Sequence, residues 1–237
     1  FANGNKIAAG RQKQWSDRHG KTYELSVADG LVDGSAYFLR SGDRVRSQEA
    51  VNLALVVLDA STDRSPQRAA QLFACGKLFK DFCDYARARK SLSLALSTTS
   101  DALEFARCQM SLAEVAQSEG DLREAIACSR AAMSRLKESK KENTPEYADI
   151  LVEYSDFLRG SGDNAGAITA TSEAISLYEK SQGEKSVRLC EPLLDLTELY
   201  KESGKLEQAK SCLNRALAIT SGLGGSDMQL QADIKEC

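Results

Sequence analysis

Little in this sequence is equipped for chemistry. It holds one histidine, His19, and its seven cysteines, Cys75, Cys83, Cys108, Cys128, Cys190, Cys212 and Cys237, form no C-x-x-C pair. A Cys/His zinc site therefore has few donors to draw on. His19, in "SDRHGK", lacks neighbours that would make it a nucleophile's base or a ligand and reads as a solvated loop residue. There is no Gly-rich phosphate loop, no G-x-S-x-G turn and no H-E-x-x-H helix. These absences argue against an enzyme, and no cofactor or metal is implied.

Other scarcities constrain the fold. The longest mostly apolar run, Ala50 to Leu58, is interrupted by Asn52 and falls far short of the roughly 20 residues that cross a bilayer. The first residues, from Phe1, lack the apolar core of a secretory signal, so a processed chain or an excised piece is expected. Only 3 prolines and 6% aromatics occur, against abundant Ala, Leu, Ser, Glu and Lys. Unbranched side chains lose little rotamer freedom in a helix, so an all-helical chain is expected. Scattered cysteines in such a chain act as small, reduced, semi-buried hydrophobes, which favours an intracellular, reducing compartment, either the cytoplasm or an organelle interior.

What is present is a soluble balance of 42% hydrophobic and 27% charged residues over 237 positions. The charge is unevenly placed. Residues 1–141 hold 22 Lys/Arg against 17 Asp/Glu, whereas 142–237 hold 9 against 17. Such a dipole steers a charged partner without dictating the fold.

A period is also present. Gly120, Gly162 and Gly204 are spaced by 42 residues, as are Ala125, Ala167 and Ala209, and Ala132, Ala174 and Ala216. A further unit lies 37 residues upstream, with Cys83 in the glycine position and Ala88 and Ala95 in the alanine positions. Each unit reads as a helical hairpin. In the third, Thr144 is an N-cap candidate and Pro145 suits the first helical position, where its missing donor would be unpaired anyway. Leu151, Tyr154 and Leu158 recur at helical spacing, the stretch Gly160 to Asp163 reverses the chain, and Ala167, Ile168, Ala174, Ile175 and Tyr178 form the apolar stripe of the second helix. The glycine permits the reversal, and the alanines allow two backbones to approach closely.

These residues resemble the tetratricopeptide repeat. The stretches "TPEYADILVEYSDFLRGSGD" and "GKLEQAKSCLNRALAI" look like its lengthened, 42-residue kinesin-light-chain type, with Pro145 opening the first helix and Ala148 three residues later. The resemblance covers residues 67–219. Ser155 and Thr197 depart from the usual small residue of the first helix, Val187 stands where the proline belongs, and Pro192 lies inside the expected first helix of the fourth unit. That proline should delay or bend the helix.

The fold class implied is all-α, a right-handed superhelix (α-solenoid) of antiparallel helix-turn-helix repeats. The expected organisation is a basic, Gly-containing N-terminal arm over residues 1–30, docked through Trp15 and Tyr23, and a degenerate hairpin over 31–62. Four units follow at about 67–100, 101–140, 144–182 and 186–222, and residues 226–237 are expected to be a capping helix or the start of a fifth repeat, since "QADIK" echoes "YADIL".

In this family the first helices of the repeats line a concave groove that holds a peptide or partner helix. The resemblance places Phe73, Lys77 and Lys80 of the first unit there, with Arg107, Met110, Glu114 and Gln117 of the second. The third supplies Asp149, Val152, Glu153, Asp156 and Arg159, and the fourth Glu191, Leu194, Asp195, Glu198 and Lys201. Family members that receive chaperone tails clamp a carboxylate with Lys, Asn and Arg, whereas acids fill these last two units. A basic or amphipathic protein segment is the expected partner, and the competing reading is that the acids form a merely solvated helix face. The N-terminal basic residues are diluted by Asp17, Glu24 and Asp29, so nucleic acid is not expected. The function implied is a non-catalytic scaffold or adaptor, alone or as a subunit of a multiprotein complex. The alternative is a sensor or regulatory portion of a larger protein.

Overall fold

The computed structural model describes residues 21–222. Among these residues there are ten α-helices, one short 3-10 turn and no strand. The chain divides between Glu119 and Gly120 into two compact units.

The first unit contains α1 (Lys21–Arg40), α2 (Arg44–Ala60), α3 (Pro66–Asp81), α4 (Tyr85–Thr98) and α5 (Ala102–Ser118). Helices α1 and α2 form one antiparallel hairpin, α3 and α4 a second, and α5 packs on α4 and α3. The extended arm expected over 1–30 is corrected by α1, which already includes Lys21 to Gly30. Leu25 and Ala28 lie at helical spacing and are buried, and that burial outweighs the helix cost of Gly30, about 1 kcal/mol. The expected docking through Trp15, the loop reading of His19 and the capping helix at 226–237 fall outside the described residues.

The second unit contains α6 (Leu122–Glu138), α7 (Pro145–Gly160), α8 (Asn164–Gln182), a 3-10 turn at Val187–Leu189, α9 (Cys190–Glu202) and α10 (Leu206–Gly222). Helix α6 packs on α7, α7/α8 and α9/α10 are antiparallel hairpins, and α9 also packs on α8. Leu158, Ala167 and Leu199 form a core cluster there, with Ile126, Tyr154 and Ile168 packed against it. Pro192 sits in the first turn of α9, and the helix begins only at Cys190, three residues after the 3-10 turn opens. The delayed start expected from that proline is what occurs.

The hairpin turns share one construction. At the end of α7 the Gly162 amide donates to Arg159 O at 2.9 Å and the Asp163 amide to Leu158 O at 2.9 Å, with Gly162 at φ 88°. This closure satisfies two carbonyls that the helix end would otherwise leave unpaired, and it needs a left-handed residue. The same pair of bonds recurs after α3, where the left-handed residue is Cys83 at φ 59°. An aspartate then caps the next helix: Asp43, Asp84, Asp121 and Asp163 accept from Arg46, Arg87, Glu124 and Gly166 amides. Each such cap is worth about 1 kcal/mol.

Small side chains fill the seams. Ala88, Ala95, Ala125, Ala132, Ala167, Ala174 and Ala216 are completely buried, and Ala209 is 4% exposed. A Cβ added to Gly76 of α3 would lie 2.6 Å from Leu92 Cγ on α4, so these backbones approach as closely as glycine allows. Ser155 occupies the corresponding position in α7 without wedging the hairpin open, because its hydroxyl shares a 2.7 Å hydrogen bond with Thr171 on α8. In the first unit Ser35 and Ser47 pair across α1 and α2 at 3.0 Å in the same manner. Buried Arg68 of α3 donates to Leu58 O with Nε and Nη2 at 3.0 and 2.9 Å, closing the end of α2. Within each unit these devices hold neighbouring helices together, α1 with α2 and α3 with α4 in the first and α7 with α8 in the second.

Candidate functional site

The two units differ in chemistry. In the first unit, Phe73 of α3 is half-buried, with the Lys77 ammonium 6.0 Å from its ring centre. Lys80 of α3 pairs with Glu114 of α5. Phe73, Ala69 and Ala70 on α3 face Arg107 and Cys108 on α5 across a small cavity of about 80 Å³. Arg107 and Gln117 are exposed. Met110 is not: it is 7% exposed and belongs to the core, which corrects its expected place on the open face. Its neighbours Ser111, Leu112 and Ala113 are buried too, so the apolar stripe of α5 is wider than the family pattern implies.

In the second unit the carboxylates gather. Asp149 and Glu153 of α7 and Glu191 of α9 line one cleft with Val152. Tyr178 on α8 donates its hydroxyl hydrogen bond to Asp149 Oδ1. Further along, Asp156 and Asp195 lie close enough to repel. Burial, then the Asp156 and Glu191 charges, push the Asp195 carboxyl up to about 6, against the opposing pull of Arg159. Burial also raises Asp156, again opposed by Arg159, which approaches the Asp156 carboxylate at 3.4 Å along its own helix. Lys201 folds onto Glu198 at 2.9 Å, also along its own helix. Leu194 is half-buried and Glu191 exposed. The structure thus brings Asp149, Val152, Glu153 and Glu191 together in one cleft, and Asp156, Arg159 and Asp195 in one electrostatic cluster.

Four members of the cleft, Tyr178, Val187, Arg188 and Pro192, are not among the groove residues expected from the sequence. Tyr178 was assigned to the apolar stripe of α8, and its ring is buried at 4% exposure, but its hydroxyl reaches Asp149. Arg188, in the 3-10 turn, lies 3.5 Å from Asp149 and 5.9 Å from the centre of the Tyr178 ring. Only the delayed start of α9 carries it there, and the repeat pattern contains no signal for it.

Elsewhere the described residues offer little reactive chemistry. Burial pushes the thiols of Cys75 and Cys108 up to about 12, aided for Cys108 by the Glu104 charge, so both behave as small hydrophobes. Cys83 is exposed. Among the described residues no group of three or more His, Cys, Asp or Glu side chains is arranged to hold a metal ion, and no helix is long and apolar enough to cross a membrane.

Residues 146–221 match the family model of the tetratricopeptide repeat. Similar solved structures include BtubC (BKLC) from P. vanneervenii, with a TM-score of 0.73 and 14% identity over 94% of this chain and 91% of that one. A putative kinesin light chain of Podospora anserina, with nearly identical TPR-like repeats, gives 0.68 and 16% over 85% and 99%. Aspartyl phosphate phosphatase F from Bacillus subtilis gives 0.75 and 14% over 94% of this chain and 57% of that one. At these identities the likeness is one of fold. No curated protein sequence matches the chain.

Proposed function

We propose that this chain, whose residues 146–221 match the tetratricopeptide-repeat model, is a non-catalytic scaffold or adaptor whose second unit docks a basic or amphipathic segment of a protein partner on α7 and α9. The observation that carries this reading is the half-buried Asp195 carboxyl of α9, which burial first and then the Asp156 charge of α7 push up to about 6, with Arg159 opposing. A cationic ligand relieves that repulsion, raises the encounter rate and excludes acidic competitors. A reducing, intracellular compartment fits the buried thiols, and nucleic acid is disfavoured because phosphates meet carboxylates on the second unit's face.

The test is a titration of a fluorescent basic amphipathic peptide. The unaltered chain binds it, and the Glu191→Lys, Asp195→Lys, Glu198→Lys triple variant loses at least about tenfold in affinity, since each close charge contact is worth about 1 kcal/mol or more. Equal binding by both contradicts the reading. Circular dichroism checks that the variant keeps its helices.

A second reading is that these repeats are the sensor or regulatory portion of a larger protein. What supports it is that the fold matches only 57% of the aspartyl phosphate phosphatase F chain, so these repeats also occur as part of a longer molecule. The position of the natural stop codon relative to Cys237 separates the two readings.

A further inference from the structure

The cleft at the start of α9 already holds a cation, and that cation belongs to the chain itself. The cleft has a volume of about 430 Å³ and is lined by Asp149 and Val152 of α7, Tyr178 of α8, Arg188 of the 3-10 turn, and Glu191 and Pro192 of α9. The Tyr178 hydroxyl orients the Asp149 carboxylate by donating to Oδ1, and the Arg188 Nη1 approaches the same oxygen at 3.5 Å. The Arg188 guanidinium carbon stands 5.9 Å from the Tyr178 ring centre. An oriented carboxylate beside an aromatic face suits a planar guanidinium, which can pair and stack at once. The present occupant is held loosely, because the Arg188 side chain is 53% exposed and Asp149 45% exposed, and ion pairs so exposed contribute little.

We propose that the Asp149–Tyr178–Glu191 cleft is a seat for an arginine side chain of the docked partner, and that Arg188 is its intramolecular occupant, displaced on binding. The proposal rests on the acidic-face reading of the second unit and adds the residue type recognised and the element that competes for it. Arg188 then acts as a selectivity filter. A weakly placed cation fails to displace it, whereas an arginine positioned by neighbouring apolar contacts with Val152 and Pro192 succeeds.

The experiment uses an amphipathic peptide with one central arginine, a second peptide with citrulline there and a third with lysine. Affinities are measured by fluorescence anisotropy against the full chain and its Arg188→Ala, Asp149→Asn and Lys180→Ala variants. Lys180→Ala removes the same charge from an exposed position outside the cleft. Arg188→Ala is expected to tighten the arginine peptide about fivefold, Asp149→Asn to weaken it about fivefold, and Lys180→Ala to change it less than about twofold. The citrulline peptide should lose the gain, and the lysine peptide should keep only part of it. If the arginine peptide binds but Arg188→Ala has no effect, or the effect equals that of Lys180→Ala, the seat is wrong while the acidic-face reading stands. Equal behaviour of the lysine peptide overturns the guanidinium assignment. If no variant binds any of the peptides, both readings fall together.

Discussion

The two units use one framework to present opposite surfaces. On α3 and α5, cations are either exposed, as Lys77 and Arg107, or neutralised across helices, as Lys80 by Glu114. On α7 and α9 the cations Arg159 and Lys201 are spent along their own helices, and carboxylates face each other between helices. The seams are nearly identical in the two units, with alanines closed to solvent in both. The framework therefore sets where a side chain points, and the exposed positions carry the difference in chemistry.

The framework half of that comparison breaks hardest. Ala167→Leu and Ala88→Leu each force a larger side chain into a seam with no free volume, and each should cost about 3 kcal/mol in urea unfolding. If either variant unfolds at the midpoint of the unaltered chain, the close-approach role of the alanines is wrong in that unit. The binding half gives a smaller but directional effect. Lys77→Glu with Arg107→Glu in the first unit should leave the basic peptide's affinity within about threefold or raise it slightly, whereas the triple reversal in the second unit abolishes most of it. Matching losses in both titrations would erase the distinction between the surfaces.

Protonation sharpens the comparison further. The Asp195 carboxyl titrates near 6 in the folded chain and near 3.8 when unfolded, so the folded state holds the proton more tightly. Above pH 6 the fold carries the full cost of that charge, and the cost disappears as the pH falls through 6 towards 4. Asp195→Asn should therefore stabilise the chain by about 1 kcal/mol at pH 7.5, after allowance for solvent screening, and by little at pH 4. Basic-peptide affinity should fall about threefold between pH 7 and pH 5 in the unaltered chain and remain flat in Asp195→Asn. Parallel pH profiles would contradict the raised titration of Asp195.

The smallest effect concerns the turns. Cys83 adopts the left-handed conformation that Gly42, Gly162 and Gly204 adopt at the equivalent positions. Cys83→Gly should relieve strain and add about 0.5–1 kcal/mol in chemical denaturation. In the unaltered chain Cys83 should alkylate well before Cys75 and Cys108, as peptide mapping would reveal; the reverse order contradicts their burial.

Much of the framework was legible because its requirements are local. A left-handed residue, an aspartate cap and two alanines seven apart leave a periodic trace, and even Cys83 could be aligned with the glycines from spacing alone. The start of α1 at Lys21 was hidden by Gly20 and Gly30, which read as loop residues until Leu25 and Ala28 are seen to pack. The candidate site was legible as a set of helix faces and not as a geometry. Met110 turned inward because the buried stripe of α5 is broader than the repeat pattern, and the Arg188 contact depends on where Pro192 lets α9 begin. Such contacts join residues far apart in the period, so no spacing rule encodes them.

The most direct test of the acidic face is hydrogen exchange measured by mass spectrometry, with and without saturating basic amphipathic peptide. Protection confined to α7, α9 and the 3-10 turn before α9, with α3 and α5 unchanged or only weakly slowed, is the predicted result. Protection centred on α3 and α5, or spread evenly over the ten described helices, would contradict it.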